Sequence, residues 1–378
     1  MSTSGTENDL RASRVRRLAG ELAALELDAL MVDSLVDVSY LTGFTGSHAM
    51  ALVMADAARE ELGPDRFLTD FRYHTQSAEQ VLDAFEREIV TGDLLDALAQ
   101  ALSERTGRLG FDDASLSVKG HGHLAELLGE GWELVPAGGA VKRLRAVKDA
   151  GEIARIRAAS ELADEALRLV LEDGLVGRTE REVAIELELR MRRLGAQAPS
   201  FPSIVASGDH AALPHAQPRD RPITRDVLVT IDWGALHEGY CSDCTRTYAT
   251  GEGISAQARE IYALVLSAEE QGVAAVIAGR NGREVDAVAR EVIEQAGQGE
   301  NFGHGLGHGV GMEVHEGPRL SRTAGDEPLE VGNVVTVEPG VYLPGLLGVR
   351  IEDLVVVGEG AGSQEVLTSL SKELTVVS

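Results

Sequence analysis

A short internal repeat constrains the fold of this chain more than any other feature. The segment Gly177-Arg-Thr-Glu-Arg-Glu-Val183 matches Gly279-Arg-Asn-Gly-Arg-Glu-Val285 at five of seven positions, 102 residues further along. Each copy lies between two helical stretches, and each helix pair is followed by a pair of strand-like segments. Five identities alone could arise by chance, but the matching order of elements predicts two related halves.

The residues before this repeated region have a different organisation. Residues 1–10 form a polar tail, and residues 11–140 alternate helical and strand-like runs, which is typical of a small α/β domain. Residues 141–150 form a connector that begins with a basic stretch, and residues 151–378 form the second domain. Two domains agree with a length of 378 residues, because domains commonly span about 100–200 residues.

Charge and composition exclude several classes of protein. The chain has 35 Lys and Arg residues against 61 Asp and Glu residues, a net charge of −26, whereas nucleic-acid binding requires a basic surface. No apolar stretch approaches the ~18–20 residues of a membrane helix, and the polar N-terminus lacks the apolar core of a signal peptide. We therefore expect a cytoplasmic protein that binds neither nucleic acid nor membrane.

The two cysteines of the chain, Cys241 and Cys244, are spaced as Cys-Ser-Asp-Cys. One such pair supplies only two of the four ligands of a structural zinc site, and no second pair exists to complete it. Two cysteines also cannot form a disulfide framework. We expect both to be spectators, pointing away from the face that Asp243 occupies between them.

The strand-like pairs bring acidic residues together. If residues 227–235 and 240–249 form a hairpin centred between His237 and Glu238, Asp232 lies directly opposite Asp243. The corresponding hairpin of the second half, residues 334–342 and 349–357, places Glu338 opposite Glu352. Two ionised carboxylates facing each other repel, unless a cation lies between them or one is protonated.

Folding the two halves together would make these four carboxylates converge. Four negative charges match two divalent cations, which is the charge count of a two-metal site. Oxygen-rich ligation favours Mn²⁺ or a similar ion. The alternative is that all four are surface acids on amphipathic strands, and the pattern of residues alone leaves it open.

Histidines offer a second set of candidate residues. His304, His308 and His315 lie in the glycine-rich segment 302–318, whose glycine content excludes a helix and therefore a helical pair of zinc-binding histidines. His215 lies in the turn-rich segment 206–222. A single histidine in such a loop is more often an exposed residue without a function, so spacing alone assigns it no role.

Taken together and in this order, these motifs resemble one family. The chain resembles the pita-bread metallopeptidase superfamily, in its Xaa-Pro aminopeptidase and Xaa-Pro dipeptidase (prolidase) branch. The motifs that carry the resemblance are Ile231-Asp-Trp-Gly234, Ser242-Asp-Cys-Thr-Arg246, residues 304–318, Val337-Glu-Pro-Gly-Val-Tyr342 and Gly348-Val-Arg-Ile-Glu-Asp353. Residues 11–140, with Leu41-Thr-Gly-Phe-Thr-Gly-Ser47 and Thr69-Asp-Phe-Arg-Tyr73, resemble the creatinase/prolidase N-terminal domain.

The resemblance implies a fold and a site. The fold is α+β, a pseudo-twofold pita-bread catalytic domain of a sheet with helices, preceded by a smaller α/β domain. Five residues would ligate the metals, with Asp243 and Glu352 bridging both ions: Asp232, Asp243, His308, Glu338 and Glu352. His215 and His315 would contact substrate and move protons, and His304 and Arg350 would support the ligands or line the substrate pocket.

The resemblance also implies an activity. Two divalent metal ions per subunit, with Mn²⁺ expected and Co²⁺ or Zn²⁺ as alternatives, would promote hydrolysis of the Xaa-Pro bond by a metal-bridging hydroxide. The substrates would be short proline-containing peptides, cleaved at the N-terminus, or dipeptides, and the enzyme would be a homodimer. The sequence does not distinguish dipeptidase from aminopeptidase, and it does not define the residue preferred before proline.

Three other functions share this architecture. A methionine aminopeptidase has the same five ligands, but the N-terminal domain and the arrangement of His304 and His308 favour the Xaa-Pro branch. Creatinase uses no metal and lacks the complete ligand set, which this chain retains. Binding proteins on the same fold have lost the metal, and here the intact ligands and the lack of a basic patch argue against that function.

Overall fold

The computed structural model describes residues 3–378, with side chains described from residue 7 onward. It contains two compact units, which divide between Arg145 and Ala146. This division falls within residues 141–150, the predicted connector, although that segment begins inside the helix Ala140–Ala146. The polar residues 1–10 are helical from Thr3 onward.

The described residues form eleven α-helices and nineteen strands, joined by turns and short 3₁₀ segments. The helices are α1 Thr3–Ala24, α2 Leu35–Thr42, α3 Arg59–Leu62, α4 His74–Gln80, α5 Leu94–Leu102, α6 Val118–Leu128, α7 Ala140–Ala146, α8 Ala150–Glu172, α9 Glu180–Leu194, α10 Ala256–Ala275 and α11 Gly282–Gln295. Strands of the first unit are β1 Ala29–Val32, β2 Ala49–Met54, β3 Arg66–Asp70, β4 Glu86–Val90, β5 Gly107–Phe111 and β6 Trp132–Pro136. Those of the second unit are β7 Ala198–Pro199, β8 Ile204–Ser207, β9 Leu228–Trp233, β10 Ala235–His237, β11 Tyr240–Cys241, β12 Cys244–Ala249, β13 Gly307–Gly309, β14 Glu316–Leu320, β15 Val334–Val337, β16 Gly340–Leu343, β17 Leu347–Arg350, β18 Asp353–Val356 and β19 Glu365–Val366.

The first unit is an α/β domain around one six-stranded sheet. The strand order is β4-β3-β2-β1-β5-β6, with β1 antiparallel to β2 and parallel to β5. Every residue of β1 and β2 is buried, which explains their unbroken apolar sequences. The prediction of a separate α/β fold for this region is confirmed.

In the second unit, the internal repeat encodes how two helices begin. The first glycine of each copy has a positive φ, 86° at Gly177 and 90° at Gly279, a conformation that glycine adopts without strain. The third residue, Thr179 or Asn281, caps the following helix and completes a capping box with the glutamate three residues on. The final valine of both copies is fully buried. The repeat therefore marks α9 and α11 as equivalent elements.

The element order is the same in both halves of this unit. Helices α8 and α9 pack together and precede strands β7 to β12, whereas α10 and α11 pack together and precede strands β13 to β19. Each half has its own apolar core, one around Trp233 and the other around Val265 and Val337. This arrangement agrees with the predicted two related halves.

The predicted register of the first hairpin is wrong by two residues. Thr245 lies opposite Asp232, where Asp243 was expected. The turn consists of Glu238 and Gly239, with φ values of 47° and 79°. Positive φ at both central residues is the type I′ geometry that two-residue hairpins favour. A shift of two residues keeps the strand alternation, so the two acidic side chains still point to the same side.

The predicted register of the second hairpin is confirmed. Val337 lies opposite Asp353, and the ladder resumes in the same register beyond a short gap, so that Glu338 is level with Glu352. The strands predicted as continuous are interrupted at Asp243, Glu338 and Glu352. The main chain at these residues is therefore free of the regular ladder.

The two hairpins are joined side by side next to these gaps. Thr245 and Glu352 form an isolated bridge, in which the Glu352 amide donates to the Thr245 carbonyl over 3.1 Å. One step along, the Thr247 hydroxyl donates to the Arg350 carbonyl over 2.9 Å. These contacts bring the acidic residues of both halves to one place. Among the helices of residues 3–378, none combines the length and apolar composition needed to cross a bilayer.

Candidate metal centre

Three carboxylates converge where the hairpins meet. One oxygen from each of Asp232, Asp243 and Glu352 lies within 4.8 Å of the other two. Asp243 and Glu352 are almost fully buried, with 5% and 2% of their surface exposed. Three of the five residues expected as ligands, Asp243, Glu338 and Glu352, lie where strands are interrupted. Asp232, Asp243 and Glu352 lie close enough to share a cation.

Burial and mutual repulsion disfavour the charged forms of these carboxyl groups. Burial, reinforced by Glu352 and Asp232, raises the pKa of Asp243 well above its usual range. Burial, reinforced by Glu338 and Asp232, does the same to the pKa of Glu352. Burial also raises the pKa of Asp232, despite its ion pair with Arg350. Such a cluster needs protons or cations to offset its charge.

Arg350 orients two members of the cluster. Its Nη2 donates to Oδ2 of Asp232 over 2.6 Å, and its Nε donates to the Thr245 hydroxyl over 3.0 Å. That hydroxyl in turn donates to Oε2 of Glu352 over 2.7 Å. The other oxygen of Asp232, Oδ1, is buried and accepts no hydrogen bond from the described residues. An orphaned buried oxygen beside other carboxylates fits a cation ligand.

His308 lies between the three carboxylates and Glu338. Its Nε2 is 3.4 Å from Oε1 of Glu338 and 3.6 Å from Oδ2 of Asp243. Its Nδ1 is 3.0 Å from the Gly309 carbonyl oxygen, so we assign the proton to Nδ1, which leaves the Nε2 lone pair facing the carboxylates. Although burial opposes it, His308 in its protonated form lowers the pKa of Glu338 through a hydrogen bond and its charge, whereas the ring protonated on Nδ1 alone leaves Nε2 able to ligate a cation. The structure thus brings all five expected ligands together.

A chain of hydrogen bonds extends from the cluster to His304. Nη1 of Arg350 donates to the Tyr342 hydroxyl over 2.9 Å, and that hydroxyl donates to Nε2 of His304 over 3.0 Å. Burial lowers the pKa of His304, which keeps its ring neutral and able to accept. Tyr342 has no role in the sequence analysis, although alternation along the chain from Glu338 places it on the same side. Strand parity was the signal that could have identified it.

His315 and His215 lie at the exposed rim of the cluster. The ring of His315 is centred 4.4 Å from that of His308, and burial together with the charge of His308 lowers the pKa of His315. The charge of His215 contributes to lowering the pKa of both His315 and His304, which places His215 near the same site. Next to it in the chain, the Pro214 carbonyl accepts from Nη1 of Arg350 over 3.1 Å.

The two cysteines lie in different surroundings. Both are buried, and they belong to different apolar clusters. The Cys244 thiol contacts the Glu352 carbonyl at 3.4 Å, and the Cys241 thiol contacts the Met312 carbonyl at 3.6 Å. Burial raises the pKa of Cys244 well above its usual range, so its thiolate is disfavoured. Within the described part of the chain, the group identified as able to hold a metal ion consists of carboxylates alone.

A buried centre of four carboxylates and one imidazole, formed where two related halves meet, is typical of a metal-dependent hydrolase. Residues 154–359 match the sequence profile described as metallopeptidase family M24, and residues 14–147 match that of the creatinase/prolidase N-terminal domain. The chain therefore belongs to metallopeptidase family M24, and its fold is the pita-bread fold with an N-terminal domain.

Similar proteins cover nearly the whole chain. The uncharacterized peptidase YqhT of Bacillus subtilis is 41% identical over 97% of this chain and 100% of its own length. A solved structure of the Xaa-Pro dipeptidase from Bacillus anthracis has a TM-score of 0.89 at 37% identity, covering 97% of this chain and 99% of that one. The X-Pro aminopeptidase of Thermotoga maritima has a TM-score of 0.83 at 36% identity, covering 93% and 98%. Both of these structures are of peptidases named for an X-Pro bond.

Proposed function

We propose that this protein is a two-metal peptidase that hydrolyses the Xaa-Pro bond at the N-terminus of peptides or in dipeptides. The observation that carries the proposal is the convergence of Asp232, Asp243 and Glu352 within 4.8 Å, with His308 linking Asp243 to Glu338. Membership of family M24 and the similarity to an Xaa-Pro dipeptidase and an X-Pro aminopeptidase support it.

In this proposal the five converging residues hold two divalent cations, with Mn²⁺ expected and Co²⁺ or Zn²⁺ as alternatives. Asp243 would help to hold both cations, because it lies close to Asp232 and Glu352 and also to His308. Glu352 would be the second shared ligand. Bound divalent cations supply Lewis acidity and lower the pKa of water held at the site.

The protein's own residues hold this arrangement before substrate arrives. Arg350 fixes one oxygen of Asp232 and leaves the other free, and Thr245 fixes one oxygen of Glu352. The Gly309 carbonyl holds His308 in the tautomer whose Nε2 can ligate. Supporting contacts of this kind typically contribute about 10- to 100-fold to metal affinity or activity.

The exposed histidines handle the substrate. His315 lies next to His308, and its lowered pKa keeps the ring neutral, so its N–H can donate a hydrogen bond to the scissile carbonyl oxygen. His215, on the same rim, can deliver a proton to the leaving nitrogen. When that nitrogen belongs to proline, it carries no N–H before cleavage, so the enzyme cannot bind it through an acceptor and must protonate it in place.

The other functions considered from the sequence receive less support. The N-terminal domain matches the creatinase/prolidase profile, which favours the Xaa-Pro branch over a methionine aminopeptidase. The complete set of converging ligands disfavours a metal-free creatinase or a binding protein. A homodimer and a cytoplasmic location remain part of the proposal.

A substrate panel with defined metals tests the proposal. The purified protein is stripped of metal and supplied in turn with Mn²⁺, Co²⁺ and Zn²⁺. A Xaa-Pro dipeptide and a Xaa-Pro tripeptide are then compared with the matching Xaa-Ala peptides. We expect metal-dependent cleavage confined to the proline peptides, and the ratio of dipeptide to tripeptide turnover distinguishes dipeptidase from aminopeptidase. Full activity in the stripped protein would contradict the proposal.

A further inference from the structure

The loop that carries His215 is attached to the start of helix α9 through one buried carboxylate. Glu180, the first residue of α9, is completely buried. Its Oε1 accepts from both the amide and the hydroxyl of Ser207, each over 2.8 Å. Its Oε2 accepts from Nδ1 of His210 over 2.8 Å and from the amide of Arg219 over 3.1 Å. Four donors spread over residues 207–219 therefore converge on one side chain.

The same loop is fixed on its other side to the metal-site hairpin. Gly348 of β17 packs so closely on the loop that a Cβ there would overlap the Ala211 carbonyl oxygen. Arg350, two residues further on, donates to the Pro214 carbonyl over 3.1 Å. His215 follows directly after these two contacts and lies before the Arg219 contact with Glu180. Its position relative to the cluster is thus set from both sides.

The corresponding position in the second half supports the other rim histidine. Glu180 and Gly282 are equivalent residues of the internal repeat, and both begin a helix. A Cβ at Gly282 would overlap the Arg319 carbonyl oxygen, so α11 begins directly against β14. That strand starts at Glu316, immediately after His315. In both halves, the helix begins at the fourth residue of the repeat, and that residue contacts the segment that carries a rim histidine.

We propose that Glu180, together with His210, is a positioning residue for His215. The carboxylate holds the loop at Ser207, His210 and Arg219, and the loop holds the imidazole of His215 at the rim of the metal centre. Glu180 acts on the loop, through Ser207, His210 and Arg219, and not directly on the expected ligands. This inference rests on the proposed function for the role of His215, but the anchoring itself does not depend on any activity.

The decisive variant is Glu180→Gln, which preserves shape but turns one acceptor oxygen into a donor. Two of the four buried donors then lose their partner. With a Xaa-Pro dipeptide and Mn²⁺, we expect kcat to fall by about 10- to 100-fold, as is typical when a supporting contact is lost, with the metal content unchanged. Glu182→Gln, an exposed change two residues away that preserves the capping box, is the matched control and should retain the parent kcat.

A double-mutant cycle distinguishes positioning from general destabilisation. If Glu180 acts through His215, Glu180→Gln has no further effect on kcat once His215→Ala is present, because interacting residues are not additive. Additive losses in the double variant would overturn the proposal. Rescue provides a second criterion: His210→Asn, which retains a donor for Glu180, should keep kcat within a few-fold of the parent, whereas His210→Phe should behave like Glu180→Gln.

Hydrogen exchange tests whether Glu180 anchors the loop, independently of any activity measurement. In Glu180→Gln, amides within residues 207–219 should exchange about tenfold faster or more, while those of β15 remain as in the parent and in Glu182→Gln. Unchanged exchange in residues 207–219 would overturn the proposal. Failure of the proposed function would instead appear as a metal-loaded parent that cleaves no Xaa-Pro peptide, and the exchange result would still decide whether Glu180 holds the loop.

Discussion

Asp243→Asn separates two effects that the parent combines, charge repulsion and metal ligation. One carboxylate oxygen from each of Asp243, Asp232 and Glu352 lies within 4.8 Å of the other two. At an effective dielectric constant of ~20, a pair at that separation repels by roughly 3.5 kcal/mol when both members are ionised. In the metal-free protein the substitution removes this repulsion, or the protonation that relieves it, and it also removes a ligand expected to serve both ions. Its effect on stability should therefore change sign with metal.

Thermal melting with and without cation measures this difference. A cation at about 100 times its dissociation constant should stabilise the parent by about 2.7 kcal/mol, a rise in Tm of about 5–10 °C for a unit of this size. Asp243→Asn should show no such rise and no peptidase activity. In the presence of a chelator it should melt at or above the temperature of the chelated parent, because burial and the neighbouring carboxylates already disfavour the charge it removes.

The control is Asp220→Asn, which neutralises an exposed carboxylate in the same unit. It should melt as the parent does under both conditions. If metal-free Asp243→Asn melts several degrees below the metal-free parent, repulsion does not dominate the cluster and the charge argument is refuted. If the variant still binds two cations and gains the full Tm shift, Asp243 is not a ligand.

Four further variants test the roles of other residues. His315→Ala and His215→Ala should keep both cations and the parent Tm while kcat falls by about 10²–10⁴-fold, the contribution of a positioned acid–base group; loss of metal from either would show that it is a ligand. Changing Cys241 and Cys244 together to Ser should leave two cations bound and most activity in place, and loss of a cation would show that a thiol takes part. Tyr342→Phe removes only the hydroxyl that connects Arg350 to His304. We expect kcat to fall by about 10- to 100-fold with metal content unchanged, and parent-like kinetics would exclude a role for that hydroxyl.

Local pattern was sufficient to predict the halves and the pairing of one hairpin. The repeat has a direct structural meaning: its first glycine forms the turn before a helix, its third residue caps that helix, and its valine is buried in the first turns of the helix. Buried strands such as β1 and β2 were recognisable because they lack polar residues entirely. The register of the second hairpin followed from its loop, and Glu338 is level with Glu352 as predicted.

The features of the fold and site that the sequence did not predict depend on contacts between distant segments or on turn geometry. The turn at Glu238 and Gly239, where both residues have positive φ, shifts the pairing of the first hairpin by two residues from the predicted register. The carboxylates stay on one side of the sheet only because the shift is an even number of residues. Arg350 reaches Asp232 and Thr245 from more than 100 residues away. No spacing rule connects such residues, so the contacts of Thr245 with Arg350 and Glu352 could not be predicted before the two hairpins were placed side by side.

The difference between Glu180 and Gly282 makes the two halves non-interchangeable despite their repeat. A side chain at position 282 has no room, because the Arg319 backbone already occupies its place. A glycine at position 180 would leave four inward-pointing donors facing an empty space. Exchanging the two seven-residue segments would therefore fail in both halves for opposite reasons, crowding in one and a void in the other. The two halves of the second unit share a framework but differ where each one supports its own rim histidine.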